Sequence, residues 1–197
     1  HSRYFSTRFG RVISFEPHPE TYSLLEFNTK NLPNISLKNL GLGEESCDLP
    51  IFELDNNVGG SSLVDSIGNT KAHLVRIEKL DDFEAELSDL KFIKIDVEGF
   101  EINVLRGAQS IIKMYKPVII FEQHLSEFKS ESTECIEYLK KLGYEIYWVD
   151  SDSLNFKNFL IRRLQNIKEL FFGRNIKIQT GIKVPVRMHH MLIAIPL

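Results

Sequence analysis

Two acids stand where apolar runs stop. Phe92-Ile93-Lys94-Ile95 ends at Asp96, and Val97-Glu98-Gly99 follows before a helix-like pattern begins. A buried parallel strand that hands its carboxyl end to a site has this form. Ligands of open α/β sheets lie just outside such ends. On its own the stretch fits a strand and a plain polar turn equally well. Glu16 closes an earlier run, Arg11-Val12-Ile13-Ser14-Phe15, and Pro17 stops it. A carboxylate only accepts hydrogen bonds, so its two oxygens can take both hydroxyls of a vicinal diol. An acid at a strand end does this for ribose in dinucleotide-type folds.

These acids need elements to hold them. Residues 1–9 read as the end of a short helix with Gly10 as its stop. After the strand that ends at Glu16, residues 19–31 carry Tyr22, Leu24, Leu25 and Phe27 at helical spacing. Residues 35–40 alternate as a strand, and Gly41-Leu42-Gly43 turns. Residues 49–54 read as a strand, 55–62 as a flexible polar loop, 73–77 as a strand and 80–87 as a short helix with Asp81 or Asp82 in its first turn. The strand at 91–97 is followed by one helix over 100–115. A second buried strand, 117–122, leads to a helix over 133–142 stopped by Gly143, a strand at 144–149 and a last strand at 191–195. Strands and helices alternate about every 25 residues, as in a doubly wound parallel sheet.

The chain has 197 residues, 43% hydrophobic and 26% charged, with a net charge of −3. That is enough for one domain with a sizeable core, and the charge does not point to nucleic acid. No apolar run approaches the length of a membrane-spanning helix. Cys47 and Cys135 lie far apart and make neither a metal spacing nor a disulfide framework, so a reducing, cytoplasmic compartment is expected. A basic insertion interrupts the alternation at about 151–188. From 157 to 190 eight cations face one acid, Glu169, with Phe159, Leu160, Leu164, Ile167, Leu170 and Phe171 at helical spacing. The bland reading is a packed helix with a solvated basic face. Contact with a membrane surface or an acidic ligand is the sharper one.

Several blocks stand in order along the chain: Glu16-Pro17-His18-Pro19, Asn39-Leu40-Gly41-Leu42-Gly43, Gly59-Gly60-Ser61-Ser62-Leu63, Lys94-Ile95-Asp96-Val97-Glu98-Gly99-Phe100-Glu101, and Pro117-Val118-Ile119-Ile120-Phe121-Glu122-Gln123-His124. From about Arg11 to Val149 this set resembles the FkbM-like family of S-adenosylmethionine-dependent methyltransferases. The Phe-Glu-Pro and Asp-Val-Glu-Gly blocks are its specific parts. The resemblance implies a class I methyltransferase fold, a Rossmann-like three-layer α/β sandwich on a mostly parallel sheet. It implies that Glu16 holds the cofactor ribose and that Gly41 and Leu42 line the adenine. Asp96 and Glu98 then lie near the methionine end and the acceptor. Ser61 and Ser62 cap the site, and Glu122 and His124 face the same crevice. The chain opens at His1-Ser2-Arg3 without methionine, so it reads as a fragment or processed chain. The family's first strand and glycine-rich loop are expected in residues ahead of His1.

Methyl transfer from a sulfonium needs in-line alignment and, for a hydroxyl acceptor, a base. His124 is the first candidate base, because imidazole titrates near neutrality, and Asp96 is the second. Asp96, Glu98 and Glu122 offer hard oxygen ligands, but no second acidic cluster completes a metal site, so none is expected. His189-His190 are neighbours on a strand and point to opposite faces. The family implies O-methylation of a sugar, glycan or other small hydroxyl compound, with the basic segment as substrate cover. Competing readings are a catalytically degenerate binding or scaffolding module, a nicotinamide-dependent oxidoreductase, and nucleic-acid binding through the basic segment, for which no motif is present.

Overall fold

The computed structural model describes residues 1–54, 57–62, 69–151, 176–181 and 183–197. They form two compact units, His1–Pro117 and Val118–Leu197.

The first unit opens with α1 (Ser2–Ser6), then β1 (Val12–Phe15), α2 (Pro19–Thr29) and β2 (Ile35–Lys38). β1 and β2 pair in parallel, Val12 opposite Ile35 and Phe15 opposite Lys38. The crossover between them is α2. It starts where His18 caps it, Nδ1 accepting the Thr21 N–H at 3.4 Å, with Pro19 pre-set for the first turn. β3 (Gly41–Leu42), β4 (Cys47–Leu54), β5 (Asn57–Ser62) and β6 (Asn69–Glu78) make a second sheet in the order β3-β6-β4-β5. β3 runs parallel to β6, while β4 is antiparallel to both β5 and β6. Ile51, Val75 and Ile77 form a buried cluster on this sheet, with Cys47 and Leu49 packed against it.

A 3-10 segment, Leu80–Glu86, leads to β7 (Phe92–Ile95). The helix expected over 100–115 is two helices, α3 (Glu101–Gly107) and α4 (Gln109–Tyr115), hinged at Ala108. The break is stabilised from a distance. Asp81 Oδ2 and Oδ1 accept the Ser110 and Ile111 N–H groups, both at 3.0 Å, and so satisfy donors that a helix start leaves open. Asp81→Ala is therefore expected to cost about 1 kcal/mol, of the size of a lost N-cap. A urea or guanidinium midpoint measures it, with exposed Asp82→Ala near neutral as the control.

In the second unit, β8 (Val118–Gln123), β9 (Tyr144–Ser151), β10 (Ile176–Thr180) and β11 (His189–Pro196) pair antiparallel, with β11 between β8 and β9 and β10 beyond β9. α5 (Glu134–Lys141) sits between β8 and β9 in the chain. Thr133 caps it through the Ile136 N–H at 3.3 Å, and Cys135, Ile136 and Leu139 form its buried face. β8 buries alternate residues, Ile119, Phe121 and Gln123.

The α/β class expected from the sequence is observed. Parallel pairing is seen between β1 and β2 and between β3 and β6. The polar stretch read as a loop at 55–62 contains β5. Its Gly-Ser-Asn composition has little strand preference of its own, so its pairing with β4 decides. β10 lies within the basic segment, where no strand was expected. The amphipathic helix read at 159–171, with Arg162 and Arg163, lies outside the described residues.

Candidate active site

Glu16, Gly41, Leu42, Asp96 and Glu98 line one cavity of about 860 Å³ in the first unit, together with the whole of β1 and β7. Each residue reaches it for a local reason. Pro17 stops β1, so the chain turns away directly after Glu16. The Glu16 N–H still bonds Lys38 O at 3.0 Å, and Asn39 Nδ2 donates to Glu16 O at 2.9 Å. The Glu16 carboxylate is fixed by the His18 N–H, which donates to Oε1 at 2.9 Å. Burial raises its pKa above the ordinary carboxylate value, while the His18 amide and the His18 charge pull the other way.

Gly41 is buried against this turn. A Cβ there would lie 2.6 Å from Ile77 Cδ1 and 3.4 Å from Pro17 Cβ. The Ile77 and Pro17 side chains already fill the space a Gly41 side chain would need, and the 41–42 segment lines the cavity.

Asp96 follows β7 on the same strand face as Lys94, two residues earlier. Lys94 Nζ donates to Asp96 Oδ2. Beyond it the chain takes two successive left-handed residues, Glu98 at φ 51° and Gly99 at φ 96°. This turn leaves Asp96 exposed and Glu98 half-buried, and both line the cavity. Beneath it lies Glu101, fully buried, whose Oε1 accepts the Val97 N–H at 3.4 Å and the Gly99 N–H at 3.3 Å.

The other expected site residues lie elsewhere. Ser61 and Ser62 end β5, and their side chains are outside the described residues. Glu122 and His124 belong to the second unit, at the carboxyl end of β8. His124 precedes the 3-10 turn Leu125–Glu127, and its backbone N–H donates to Glu127 Oε2 at 2.6 Å. Among the described residues no group of three or more His, Cys, Asp and Glu side chains is placed to hold a metal ion. No described helix is long and apolar enough to cross a membrane.

Three participants escaped the sequence reading. Lys94 was legible in principle, since i and i+2 on a strand share a face. His18 is 1% exposed and its ring meets His73 edge-on at 5.1 Å, a contact between distant segments that spacing does not show. Glu101 was inside the quoted motif, but only its burial beneath the turn shows what it does.

A family model described as the methyltransferase FkbM domain matches residues 2–146. The chain belongs to this family. "Methyltransferase 1" from Beauveria bassiana (strain ARSEF 2860) is 30% identical over 119 residues, covering 49% of this chain. The chain spans 48% of that relative's length. The crystal structure of methyltransferase FkbM from Methylobacillus flagellatus KT superposes with a TM-score of 0.48 at 21% identity, covering 70% of this chain and 32% of the other. Within the FkbM domain match fall all the site residues named above, from Glu16 to His124.

Proposed function

We propose that this chain carries the ribose and acceptor walls of an S-adenosylmethionine-dependent methyltransferase that acts on the hydroxyl of a sugar, glycan or other small molecule in the cytoplasm. The supporting observation is the shared cavity: Glu16 at the end of β1 and Asp96 with Glu98 beyond β7 line the same space, with Gly41 against the turn that follows Glu16. The residues fit the cofactor. Glu16 is a half-buried, acceptor-only group already oriented by the His18 N–H, and it suits a vicinal diol. The wall at Gly41 and Leu42 suits a planar base. Asp96 and Glu98 bring negative charge to the opposite wall, favourable beside a sulfonium or an ammonium.

When bound, the cofactor supplies the electrophilic methyl group. The chain supplies orientation, which accounts for a large share of rate enhancement in such displacements. His124 and Asp96 are the proposed bases for the acceptor hydroxyl, with Glu98, Glu122, Ser61 and Ser62 as proposed acceptor contacts. The cavity is lined by both strands along their full length.

Calorimetric titration of the whole protein with S-adenosylhomocysteine, followed by transfer of labelled methyl to a saccharide panel, tests the reading. Micromolar binding with label on a hydroxyl oxygen supports it. No binding at millimolar concentration overturns it in favour of a scaffolding module.

A further inference from the structure

The turn Asp96-Val97-Glu98-Gly99 presents two carboxylates to the cavity from a backbone that strands and helices do not stabilise. Glu98 is a non-glycine residue at φ 51°, followed by Gly99 at φ 96°. Such a conformation costs energy for a side-chain-bearing residue and persists only where the surroundings hold it. Successive amides in turns of this kind point inward and form a concave anion-binding nest. Here the chain fills the nest itself. Glu101, the first residue of α3 and 0% exposed, directs Oε1 at both the Val97 and Gly99 amides.

We infer that Glu101 is a positioning residue: its buried carboxylate fixes the Asp96–Gly99 turn and so sets where Asp96 and Glu98 stand in the cavity. The inference rests on the methyltransferase reading for its kinetic consequence, but its structural content is independent of it. Three features favour a positioning role over ordinary core filling. The bonded atoms belong to the turn that carries the site acids. Both amides are accepted by one oxygen of a side chain with no exposure to solvent. And an apolar residue of similar size would fill the same volume without accepting either amide.

The test compares Glu101→Gln, Glu101→Leu and the parent in the whole protein, by amide hydrogen exchange and by kinetics. Glu101→Gln keeps the shape and one acceptor oxygen. Glu101→Leu keeps the bulk and removes both acceptors. Exchange at Val97 and Gly99 is expected to speed up at least tenfold in Glu101→Leu and less in Glu101→Gln, with β4 and β6 amides unchanged. Turnover is expected to fall about 100-fold in Glu101→Leu and about tenfold in Glu101→Gln. Should Glu101→Leu not fold, the graded exchange and kcat effects in Glu101→Gln decide alone. Parental exchange at Val97 and Gly99 overturns the positioning role. So does parental kcat with altered exchange. If the parent transfers no methyl group, the functional reading has failed, and the exchange result still decides whether Glu101 holds the turn.

Discussion

Glu16→Gln lowers the affinity of the whole protein for S-adenosylhomocysteine by roughly 30- to 150-fold, about 2–3 kcal/mol. The magnitude follows from chemistry. A carboxylate receiving two hydroxyls makes two charge-assisted bonds, each about 1.5–3 kcal/mol, against about 0.5–1.5 for a neutral acceptor. Glutamine keeps one acceptor and turns the second contact into a donor. The same substitution has the opposite effect on the apoprotein. Burial raises the Glu16 pKa, so the folded state holds its proton at pH values where the unfolded chain has released it. Between the unfolded and the raised folded pKa, stability falls as pH rises. At neutral pH the ionised side chain is therefore a cost to folding, and Glu16→Gln melts slightly higher than the parent without ligand. Binding runs the other way with pH: affinity drops as acid protonates Glu16. Calorimetry from pH 4.5 to 8 (on the order of the carboxylate range and above), paired with melting curves, checks both signs. A variant with parental affinity, or one that melts lower and binds normally, contradicts the assignment.

Gly107→Ala has the largest expected effect on folding. An added Cβ would stand 1.8 Å from Gly43 O, 2.7 Å from Gly43 C and 3.3 Å from Glu44 Cα. All three are backbone atoms, so no rotamer change relieves the clash, and α3 must move off the segment that follows β3. Overpacking in a tight site costs about 1–3 kcal/mol and sometimes more, and a backbone-to-backbone conflict belongs at about 3 kcal/mol or above. Because the displaced segment adjoins Gly41 and Leu42, cofactor affinity should drop with stability. Gly10→Ala is the control: an added Cβ meets nothing within 4 Å, and a change within about 0.5 kcal/mol is expected. A denaturation midpoint for Gly107→Ala matching that of Gly10→Ala would show that the helix and the 41–44 segment are less closely joined than this structure has them.

The local order of elements was legible because hydrophobic period and punctuation agreed. Pro17 ends β1, Thr133 and Gly143 bracket α5, and the apolar run ahead of Asp96 is β7. The site acids were legible for the same reason, since each stands at the end of a run. What the sequence hid was set by partners distant in the chain. Nothing near Ala108 announces that Asp81 caps a new helix there, because the apolar spacing runs on unbroken from Val104 to Ile112. β5 is a strand only because β4 lies beside it. Glu101 stands at the end of the Lys94–Glu101 block with no role legible from the sequence, and its burial beneath Val97 and Gly99 supplies one. Glu122 and His124 keep their place at a strand end, but that end belongs to the second unit.

The central claim is that Glu16 and Asp96 are the ribose and methionine-side walls of one cofactor site. A crystal structure of the whole protein with S-adenosylhomocysteine tests it most directly. The account predicts both ribose hydroxyls within hydrogen-bonding distance, about 2.5–3.0 Å, of the Glu16 carboxylate, the adenine against Gly41 and Leu42, and the homocysteine end towards Asp96. A nucleoside bound elsewhere, with Glu16 left to solvent, would contradict it.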